Sequence, residues 1–381
     1  MKIIQVTASY KPAYVYGGPT MSVSKLSEEL VKVGTDLEVI CTTANGQEEL
    51  PVTSGHQTMV DGVRVTYYKR LTKDHSHFSP ALYRALWRKV KPDTIVHIQA
   101  WWNLVSVISC AISLLKGIGT VISARGTLSS YSFNNRTSLP KKLFHQFIGR
   151  PLLKRCHFHV TSEKEKQDIL NLINPKSIFV IPNFVRLPER SISRTKDVYN
   201  NFKFLFLSRV EEKKGLELLF ESLASFHGNW TLTIAGTGSA NYIDRLKTLA
   251  QQLNIANKIE WVGHLANEIK FDIMKTHHLM ILPSFDENFA NVVIECLAVG
   301  TPVLISQNVG LSDYVKTNGL GWVCERSVNS ILENLNYIRE NSSALKQISS
   351  IAPNIIYTDF KEDNIIKRYK ELYINIENYS L

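Results

Sequence analysis

The sequence predicts an α/β fold with two domains, each built on a parallel β-sheet. Short β-branched runs alternate with helical stretches in both halves of the chain, the pattern of parallel strands joined by crossover helices. The 381 residues are enough for two domains of ordinary size. The polar stretch 182–201 lacks periodicity and separates the halves. We therefore expect a first domain at 1–184, a linker at 185–202, a second domain at 203–359, and a C-terminal helix at about 360–381 that completes the first domain.

The first half contains six runs rich in β-branched and aromatic residues, which predict strands. These strands are expected at Ile3–Thr7, Leu37–Cys41, Val63–Tyr67, Thr94–Gln99, Thr120–Ser123 and Phe158–Thr161. Apolar residues at helical spacing fill the segments between them. Helices are expected at about Thr20–Val33, Pro80–Val90, Leu104–Lys116, Pro140–Arg155 and Glu163–Leu172.

The second half repeats the alternation, and each of its strands precedes a helical segment. The strands are expected at Lys203–Ser208, Trp230–Ala235, Ile259–Val262, Leu279–Pro283 and Pro302–Ile305. Because parallel strands end on one edge of a sheet, the residues that follow them gather where open α/β sheets bind ligands.

Composition indicates a globular protein without a membrane span. Hydrophobic residues make up 44% and charged residues 20% of the chain. No apolar run approaches the ~20 residues that a spanning helix needs, and the N-terminus runs into a strand without a signal-peptide pattern. The five dispersed cysteines form no C-x-x-C pair, which favours reduced thiols and argues against a metal site made of them. We expect a cytoplasmic protein.

The positive charge lies in the first half of the chain. Residues 1–190 hold 25 Lys and Arg against 13 Asp and Glu, a balance of +12, whereas the remainder has −2. Nucleic acid, an anionic membrane and a phosphorylated acceptor would each suit this charge, but no nucleic-acid-binding signature accompanies it. The segment Lys141–Arg155 mixes cations with apolar residues, as does a segment that docks on an anionic leaflet at the inner face of the plasma membrane. The alternative is a helix whose Leu and Phe face the core.

Two glutamates eight residues apart, Glu287 and Glu295, are the most informative feature of the second half. The strand before them leads into a loop, and an apolar helix from about 290 to 299 follows. Glu287 is thus expected at the crossing from strand to helix, beside backbone N–H groups that favour anions. Glu295 is expected on the helix. The alternative is an acidic loop and an exposed helix residue.

Neighbouring strand ends carry residues that suit a phosphorylated ligand. Arg209 and Lys214 follow the first strand of the second domain, where they would offer a guanidinium fork and a point charge to a diphosphate; the alternative is an ordinary charged loop. Gly236 follows the next strand. The remaining glycine-containing turns are Gly17–Gly18 in the first domain and Gly263–His264 in the second. Such turns let a ligand approach the backbone.

Together these motifs resemble the retaining GT-B glycosyltransferases of family 4. The spacing of Glu287 and Glu295 matches the E-x7-E motif of that family, and the resemblance extends over nearly the whole chain. It implies two Rossmann-like domains with parallel sheets facing across a cleft. The C-terminal domain would bind the nucleotide-sugar donor, and the N-terminal domain would bind the acceptor.

The resemblance also implies roles for individual residues. Arg209 and Lys214 would bind the donor diphosphate, Glu295 the ribose, and Glu287 the hydroxyls of the transferred sugar. Further contacts to the donor would come from Gly17, Gly18, Gly236, Gly263, His264, Asn288, Phe289, Ala290 and Asn291. The chain has no D-x-D triplet, so we expect neither a metal nor another cofactor. Retention is usually discussed for this family as front-face attack assisted by the departing phosphate.

The first domain departs from the family pattern at one position. Many relatives have a His after the strand 120–123, where this chain has Arg125 and Gly126, as in a subgroup frequent in surface-polysaccharide synthesis. Arg125 would bind donor phosphate or acceptor, but it cannot serve as a base at neutral pH. His97 is the other polar candidate for catalysis. Its alternative is a core histidine satisfied by hydrogen bonds.

We therefore expect an enzyme that transfers a sugar with retention from a UDP- or GDP-sugar. The acceptor would be a glycan or polyprenyl-linked saccharide in the synthesis of O-antigen, capsule or exopolysaccharide. One alternative is a GT-B-like nucleotide-sugar epimerase or phosphorylase. Another is a non-catalytic protein that binds nucleotide-sugars.

Overall fold

The computed structural model describes residues 1–135, 139–188 and 201–378, which form two compact units. Unit 1 comprises Met1–Phe184 and Glu362–Leu381, and unit 2 comprises Val185–Lys361. Most of the expected linker at 185–202, and the last three residues of the expected C-terminal helix, lie outside the described residues.

Unit 1 is built on an eight-stranded sheet in the order β10-β9-β8-β7-β1-β2-β6-β5, with a separate pair β3-β4. Its strands are β1 Lys2–Val6, β2 Leu37–Thr42, β3 Ala44–Asn45, β4 Glu48–Glu49, β5 Gln57–Val60, β6 Val63–Tyr68, β7 Thr94–Gln99, β8 Gly119–Ser123, β9 His157–Val160 and β10 Ser177–Val180. Within the large sheet only β5 runs antiparallel to its neighbour. The six strands expected in this half are present, whereas the edge strands β5 and β10 were not expected.

Helices cover the sheet of unit 1 from both faces. They are α1 Gly18–Lys32, α2 Pro80–Lys89, α3 Leu104–Leu115, α4 Ser130–Asn135, α5 Leu139–Phe144, α6 Arg150–Leu153 and α7 Glu163–Leu172. Side-chain caps fix two of the starts, because Asn103 accepts from the Ser106 N–H at 2.8 Å and Ser162 accepts from the Glu165 N–H at 3.2 Å.

The helix expected at 140–155 is wrong as one continuous element. A π-helical turn at His145–Gly149 separates α5 from α6. Pro151, near the start of α6, has no N–H to donate, and the wider turn before it changes the hydrogen-bonding register at this point.

Unit 2 is a six-stranded, fully parallel sheet in the order β13-β12-β11-β14-β15-β16. Its strands are β11 Phe202–Leu207, β12 Trp230–Ala235, β13 Ile259–Gly263, β14 Leu279–Leu282, β15 Val303–Ser306 and β16 Gly321–Cys324. Its helices are α8 Leu216–Ala224, α9 Ala240–Gln252, α10 Asn267–Thr276, α11 Asn291–Ala298, α12 Ser312–Thr317, α13 Val328–Glu340 and α14 Ser343–Asp359. All five strands expected here are present, and β16 is an addition.

The order of the strands in unit 2 determines where a ligand site would form. The chain starts at β11, adds β12 and β13 on one side, and then crosses to β14 on the other side. The carboxyl ends of β11 and β14 therefore meet at the point where the order reverses, which is where open α/β sheets bind ligands. In unit 1 the same reversal lies between β1 and β7.

The chain ends in unit 1 with α15 Glu362–Asn378. One face of α15 is buried through six side chains, Ile365, Ile366, Tyr369, Leu372, Tyr373 and Ile376. They pack with residues of β1, β2 and α1 in one core cluster. Each buried side chain of this size contributes about 1.5–3 kcal/mol of hydrophobic stabilisation. Within the described part of the chain, no helix combines the length and apolar character that crossing a bilayer requires.

Candidate functional site

Lys214 and Glu287 meet at the switch point of unit 2. Lys214 ends the 3-10 turn Glu212–Lys214 after β11, and Glu287 lies in the loop after β14. The Lys214 Nζ donates a hydrogen bond to Glu287 Oε2. The Lys214 side chain is only 5% exposed, whereas Glu287 retains 21%. The fold thus holds a buried cation against a partly exposed carboxylate at the edge where a ligand is expected.

Close contact between two loops keeps this pair in place. Gly215 has φ 72°, and a Cβ there would lie 2.3 Å from the Pro283 carbonyl oxygen, so only glycine fits without a shift. The Phe285 N–H donates to the Lys213 carbonyl at 2.8 Å, which joins the two loops directly. The backbone of Glu287 is fixed on its other side, since the Gly310 N–H donates to its carbonyl at 2.8 Å.

Gly236 is explained by packing between adjacent loops. A Cβ at Gly236 would lie 1.8 Å from the Ser208 carbonyl oxygen, and the Gly236 N–H donates to the Gly263 carbonyl at 2.7 Å. Gly263 itself has φ 67° at the end of β13, and His264 after it is exposed. These residues line the carboxyl edge of the sheet, and their contact with a donor stays a prediction.

Arg209 does not join the Lys214–Glu287 pair. Its side chain is 63% exposed and forms an ion pair with Glu211 at 2.7 Å. At this exposure the pair contributes at most about 1 kcal/mol to stability. The guanidinium is therefore available for exchange from Glu211 to a ligand anion.

The loop after β14 ends at an uncapped helix. Ala290 precedes α11 with φ 70°, and no side chain caps the first turn. The N-terminus of a helix attracts anions because its first N–H groups lack partners within the helix. The Phe289 side chain is buried and packs against Phe360 with ring centroids 6.2 Å apart, so only its backbone is placed for a ligand. Asn288 lies in the same loop, and Asn291 is the first residue of α11.

Glu295 lies on α11 and is buried, as is the amine that faces it. Lys270 of α10 donates from Nζ to Glu295 Oε1 at 2.7 Å, and the two side chains are 14% and 11% exposed. Glu295 therefore keeps a charge partner in the structure. No sequence pattern indicates Lys270, because its role depends on how α10 packs on α11.

In unit 1, Gly17 and Gly18 open the first helix after β1. Gly17 has φ 64° and ψ −133°, a conformation that favours glycine, and Pro19 stands at the start of α1. Among the described residues, no atom beyond the chain neighbours and the helix backbone lies within 4 Å of a Cβ built at either glycine.

Arg125 follows β8 with φ 50°, in the left-handed region. Its Nε donates to Gln99 Oε1 at 2.7 Å and its Nη1 donates to Asn183 Oδ1 at 3.0 Å. Burial lowers the pKa of the guanidinium, which nevertheless stays charged at neutral pH. Gln99 and Asn183 were not among the expected site residues, although Gln99 ends β7 at the carboxyl edge.

His97 is fully buried in a hydrogen-bonded chain of side chains. The Nε2 of His159 contacts the Ile181 carbonyl at 2.9 Å and must donate to it, so we assign its Nδ1 as the acceptor from Ser123 Oγ at 2.7 Å. Ser123 then accepts from His97 Nε2 at 2.6 Å, and His97 Nδ1 accepts from the Tyr373 hydroxyl at 2.8 Å.

The two histidines in this hydrogen-bonded network, His97 and His159, are held neutral. Burial first, and then the charges of His159 and Arg125, keep the pKa of His97 well below its ordinary value. Burial and the Arg125 charge lower the pKa of His159 to about 3. With both ring nitrogens bonded, His97 fits a core histidine better than a catalytic one.

Comparison with known proteins identifies the family. The model of the glycosyl transferases group 1 matches residues 189–354, and that of glycosyltransferase family 4 matches residues 16–188. An uncharacterized glycosyltransferase of Methanocaldococcus jannaschii is 26% identical over 405 residues, with 98% of both chains covered. The O-antigen chain mannosyltransferase RfbU of Salmonella typhimurium is 27% identical over 205 residues, covering 52% of this chain and 56% of that protein.

A solved structure shows the same fold. The crystal structure of Anabaena HepE in complex with UDP and glucose matches with a TM-score of 0.74 at 18% identity, covering 98% of this chain and 100% of that chain. The two family models together cover residues 16–354, each falling on one of the two parallel-sheet units. The chain therefore belongs to the family 4 glycosyltransferases and has the GT-B fold.

Proposed function

We propose that this glycosyltransferase transfers a sugar, with retention and without a metal ion, from a UDP- or GDP-sugar bound to unit 2. The Lys214–Glu287 contact at the switch point carries the proposal. A donor would bring its diphosphate to Lys214, Arg209 and the start of α11, while Glu287 would accept hydrogen bonds from sugar hydroxyls. The complex of HepE with UDP and glucose supports this class of ligand.

The same residues would assist the chemical step. Negative charge grows on the leaving diphosphate as the bond to the sugar breaks, and cations fixed in advance stabilise that charge best. Lys214 is fixed by burial and by Glu287, and Arg209 would add its guanidinium fork. Two cations and a helix N-terminus would neutralise a diphosphate without a divalent ion.

Activity of matched variants tests the proposal. Purified protein in excess EDTA should slowly hydrolyse or transfer the sugar of a UDP- or GDP-sugar, and NMR should show the α-anomeric product from an α-linked donor. Lys214→Ala and Glu287→Ala should each lower kcat/KM by at least about 100-fold, as expected for lost transition-state charge stabilisation. Glu212→Ala is the control, because Glu212 lies in the same loop but is 72% exposed. Full activity in both site variants would refute the assignment.

We further propose that the acceptor is a glycan or polyprenyl-linked saccharide used to build a surface polysaccharide. The similarity to an O-antigen chain mannosyltransferase supports this role. An acceptor of this kind would be held by unit 1. Transfer to lipid-extracted polyprenyl-linked saccharides, but not to simple sugars, is the expected result.

Unit 1 also has a surface suited to peripheral docking on an anionic leaflet. Four apolar side chains in and beside α5 are exposed: Leu139 at 70%, Leu143 at 49%, Phe147 at 73% and Ile148 at 46%. Lys142 and Lys154 beside them are exposed as well. The alternative, in which Leu and Phe of this segment face the core, holds for Leu153 and Phe144 but not for the four exposed residues.

Vesicle sedimentation tests the docking. The protein should bind vesicles of phosphatidylglycerol and not of phosphatidylcholine, and Phe147→Ser with Leu143→Ser should weaken binding by about tenfold or more. Leu115→Ser is the control, since Leu115 is 78% exposed elsewhere on unit 1. Equal binding of the double variant and the wild type would contradict the proposal.

A further inference from the structure

We propose that the carboxyl edge of the unit 1 sheet contains an oxyanion site centred on Arg125, which binds a phosphate or carboxylate group of the sugar acceptor. The assignment to the acceptor rests on the proposed function. With this site, the proposed acceptor is an anionic molecule, such as a phosphate-linked lipid saccharide or an acidic saccharide.

The guanidinium of Arg125 is held in one orientation by neutral groups. Its Nε–H donates to Gln99 Oε1 at 2.7 Å, and its Nη1 donates to Asn183 Oδ1 at 3.0 Å. Among the described residues its other N–H groups have no hydrogen-bond partner. A fixed fork with free N–H groups is the arrangement that binds oxyanions through paired hydrogen bonds.

No carboxylate forms an ion pair with Arg125 in the described part of the chain. Glu165 is the acidic group nearby, yet its oxygens accept from the backbone N–H groups of Gly126 at 2.9 Å and Thr161 at 2.8 Å. Burial is the main cause of the low pKa of His97 and of His159, and the positive charge of Arg125 lowers both further. A half-buried, unpaired cation is costly, and a bound anion would offset that cost.

Gln99 supplies a second, independent observation. It is 2% exposed and its oxygen accepts from Arg125, so that its Nε2 is buried and has no hydrogen-bond partner among the residues that the structure describes. Turning the amide around would set two donors against each other, so the orientation is determined. An oxyanion at Arg125 would bring acceptor oxygens to the edge where this donor is unsatisfied.

The backbone around the site is strained on both strands that flank it. Arg125 has φ 50°, while Ala100 and Trp102 after β7 have φ 64° and 61°. Non-glycine residues adopt this region only where the surrounding structure enforces it, and such positions concentrate at functional sites. Three of them lie at the ends of the adjacent strands β7 and β8.

Phosphate titration in a suitable background tests the site. The double variant Arg209→Ala/Lys214→Ala removes the proposed donor cations of unit 2, so that anion binding there does not interfere. Inorganic phosphate, and separately acetate, should raise the Tm of this background above that in chloride of equal ionic strength. No increase with either anion would overturn the proposal.

Three substitutions in that background locate the binding. Gln99→Glu places a carboxylate against Arg125 in an isosteric side chain, so it should preserve folding and weaken phosphate binding by at least about tenfold. Arg125→Gln and Arg125→Lys should weaken phosphate binding by a similar factor, because both remove the guanidinium group with its paired N–H donors. Arg88→Gln, at an exposed residue of α2, should have no effect. Unchanged phosphate affinity in Gln99→Glu and both Arg125 variants would also overturn it.

Nucleotide affinity separates acceptor from donor. Calorimetry with UDP and GDP should give the same Kd for the wild type and Arg125→Gln, within about twofold. A tenfold loss would assign the anion site to the donor and overturn the acceptor assignment. A wild-type protein that binds neither nucleotide would refute the proposed function, whereas the phosphate titration would still decide whether the site exists.

Discussion

Each glutamate of the E-x7-E pair has its own lysine in the structure. Glu287 contacts Lys214 and Glu295 contacts Lys270. Buried ion pairs add little net stability, because desolvation of the charges offsets their attraction, but removal of one partner is costly. We infer that each lysine holds its glutamate in one orientation until a ligand replaces or joins the contact.

Lys270→Met should both destabilise unit 2 and weaken donor binding. It leaves the Glu295 carboxylate buried and unpaired, which should cost about 3 kcal/mol in the free energy of unfolding. KM for the nucleotide-sugar should rise more than kcat falls, because Glu295 is proposed to bind the ribose. Urea denaturation and steady-state kinetics measure the two effects.

The matched controls for Lys270 separate stability from binding. Lys275→Met on the same helix should change neither, since Lys275 is 36% exposed and its ion-pair partner is the exposed Asp272. Lys270→Met/Glu295→Leu should recover stability but not KM. If the double variant binds donor normally, the role of Glu295 is wrong.

At the scale of elements, the Lys214–Glu287 site depends on contact between the loop after β11 and the loop after β14. Gly215 lies at the centre of that contact, with the Pro283 carbonyl where its Cβ would be. Gly319 offers a comparison in the same unit, because it also has positive φ, at 62°, but has open space around it.

Gly215→Ala should therefore be more harmful than Gly319→Ala. The Gly319→Ala substitution should lower the free energy of unfolding by about 1 kcal/mol, because alanine disfavours positive φ. At Gly215 the collision should add about 1–3 kcal/mol and separate the loops, with loss of activity. Thermal unfolding and the transfer assay would check both; equal losses of stability in the two variants would argue against tight loop contact.

The contact of α15 with the sheet should depend on pH. In the folded state the pKa of His159 is about 3 and that of His97 also lies well below its ordinary 6.5. Below pH 6.5 the unfolded chain takes up protons that the folded chain does not, so stability is complete above that pH and declines as pH falls. His159 should contribute about 2 kcal/mol of loss between pH 7 and pH 5, and His97 should contribute in the same direction.

Urea denaturation at pH 7 and pH 5 measures this loss. His97→Gln should show a smaller drop in the free energy of unfolding between the two pH values than the wild type does. His56→Gln, at an exposed histidine, should keep the wild-type dependence. An identical drop in His97→Gln and the wild type would mean that His97 does not resist protonation.

Much of this element layout was predictable from the sequence, for physical reasons that also explain the misses. Central strands such as β7 and β14 are buried on both faces, so they read as apolar runs. The edge strand β5 is mostly exposed and polar, and β16 is a four-residue strand that contains glycine and tryptophan, so neither has such a run. The break in the helix at 140–155 was indicated only by Pro151.

At the scale of the whole molecule, the pattern of strands along the sequence indicates which residues follow strand ends. The order of the strands in the sheet then determines which of those residues meet. Lys214 and Glu287 are 73 positions apart, and their contact follows from β11 and β14 being neighbours. The pairing of Lys270 with Glu295, and of Gln99 with Arg125, has no local signal because it depends on side-chain packing between elements. Sequence reasoning therefore found residues that meet in the structure but not the groups that hold them, and their contact with a donor stays a prediction.

The two halves of the chain differ in net charge as well as in structure. The basic excess of the chain belongs to residues 1–190, in which Arg125 and the exposed surface near α5 lie. Residues 191–381, which include nearly all of unit 2, hold 19 Lys and Arg against 21 Asp and Glu, a balance of −2. This division suits a protein that binds a nucleotide-sugar on one unit and an anionic acceptor on the other.

Calorimetric titration of UDP, GDP and their sugars into the wild type and Lys214→Ala is the most direct test of the central claim, that the Lys214–Glu287 site binds a nucleotide-sugar diphosphate. The wild type should bind one of these nucleotides, and Lys214→Ala should bind it at least about tenfold more weakly, because one charge-assisted contact is lost. Absence of binding in the wild type, or equal affinity in both proteins, would contradict the account.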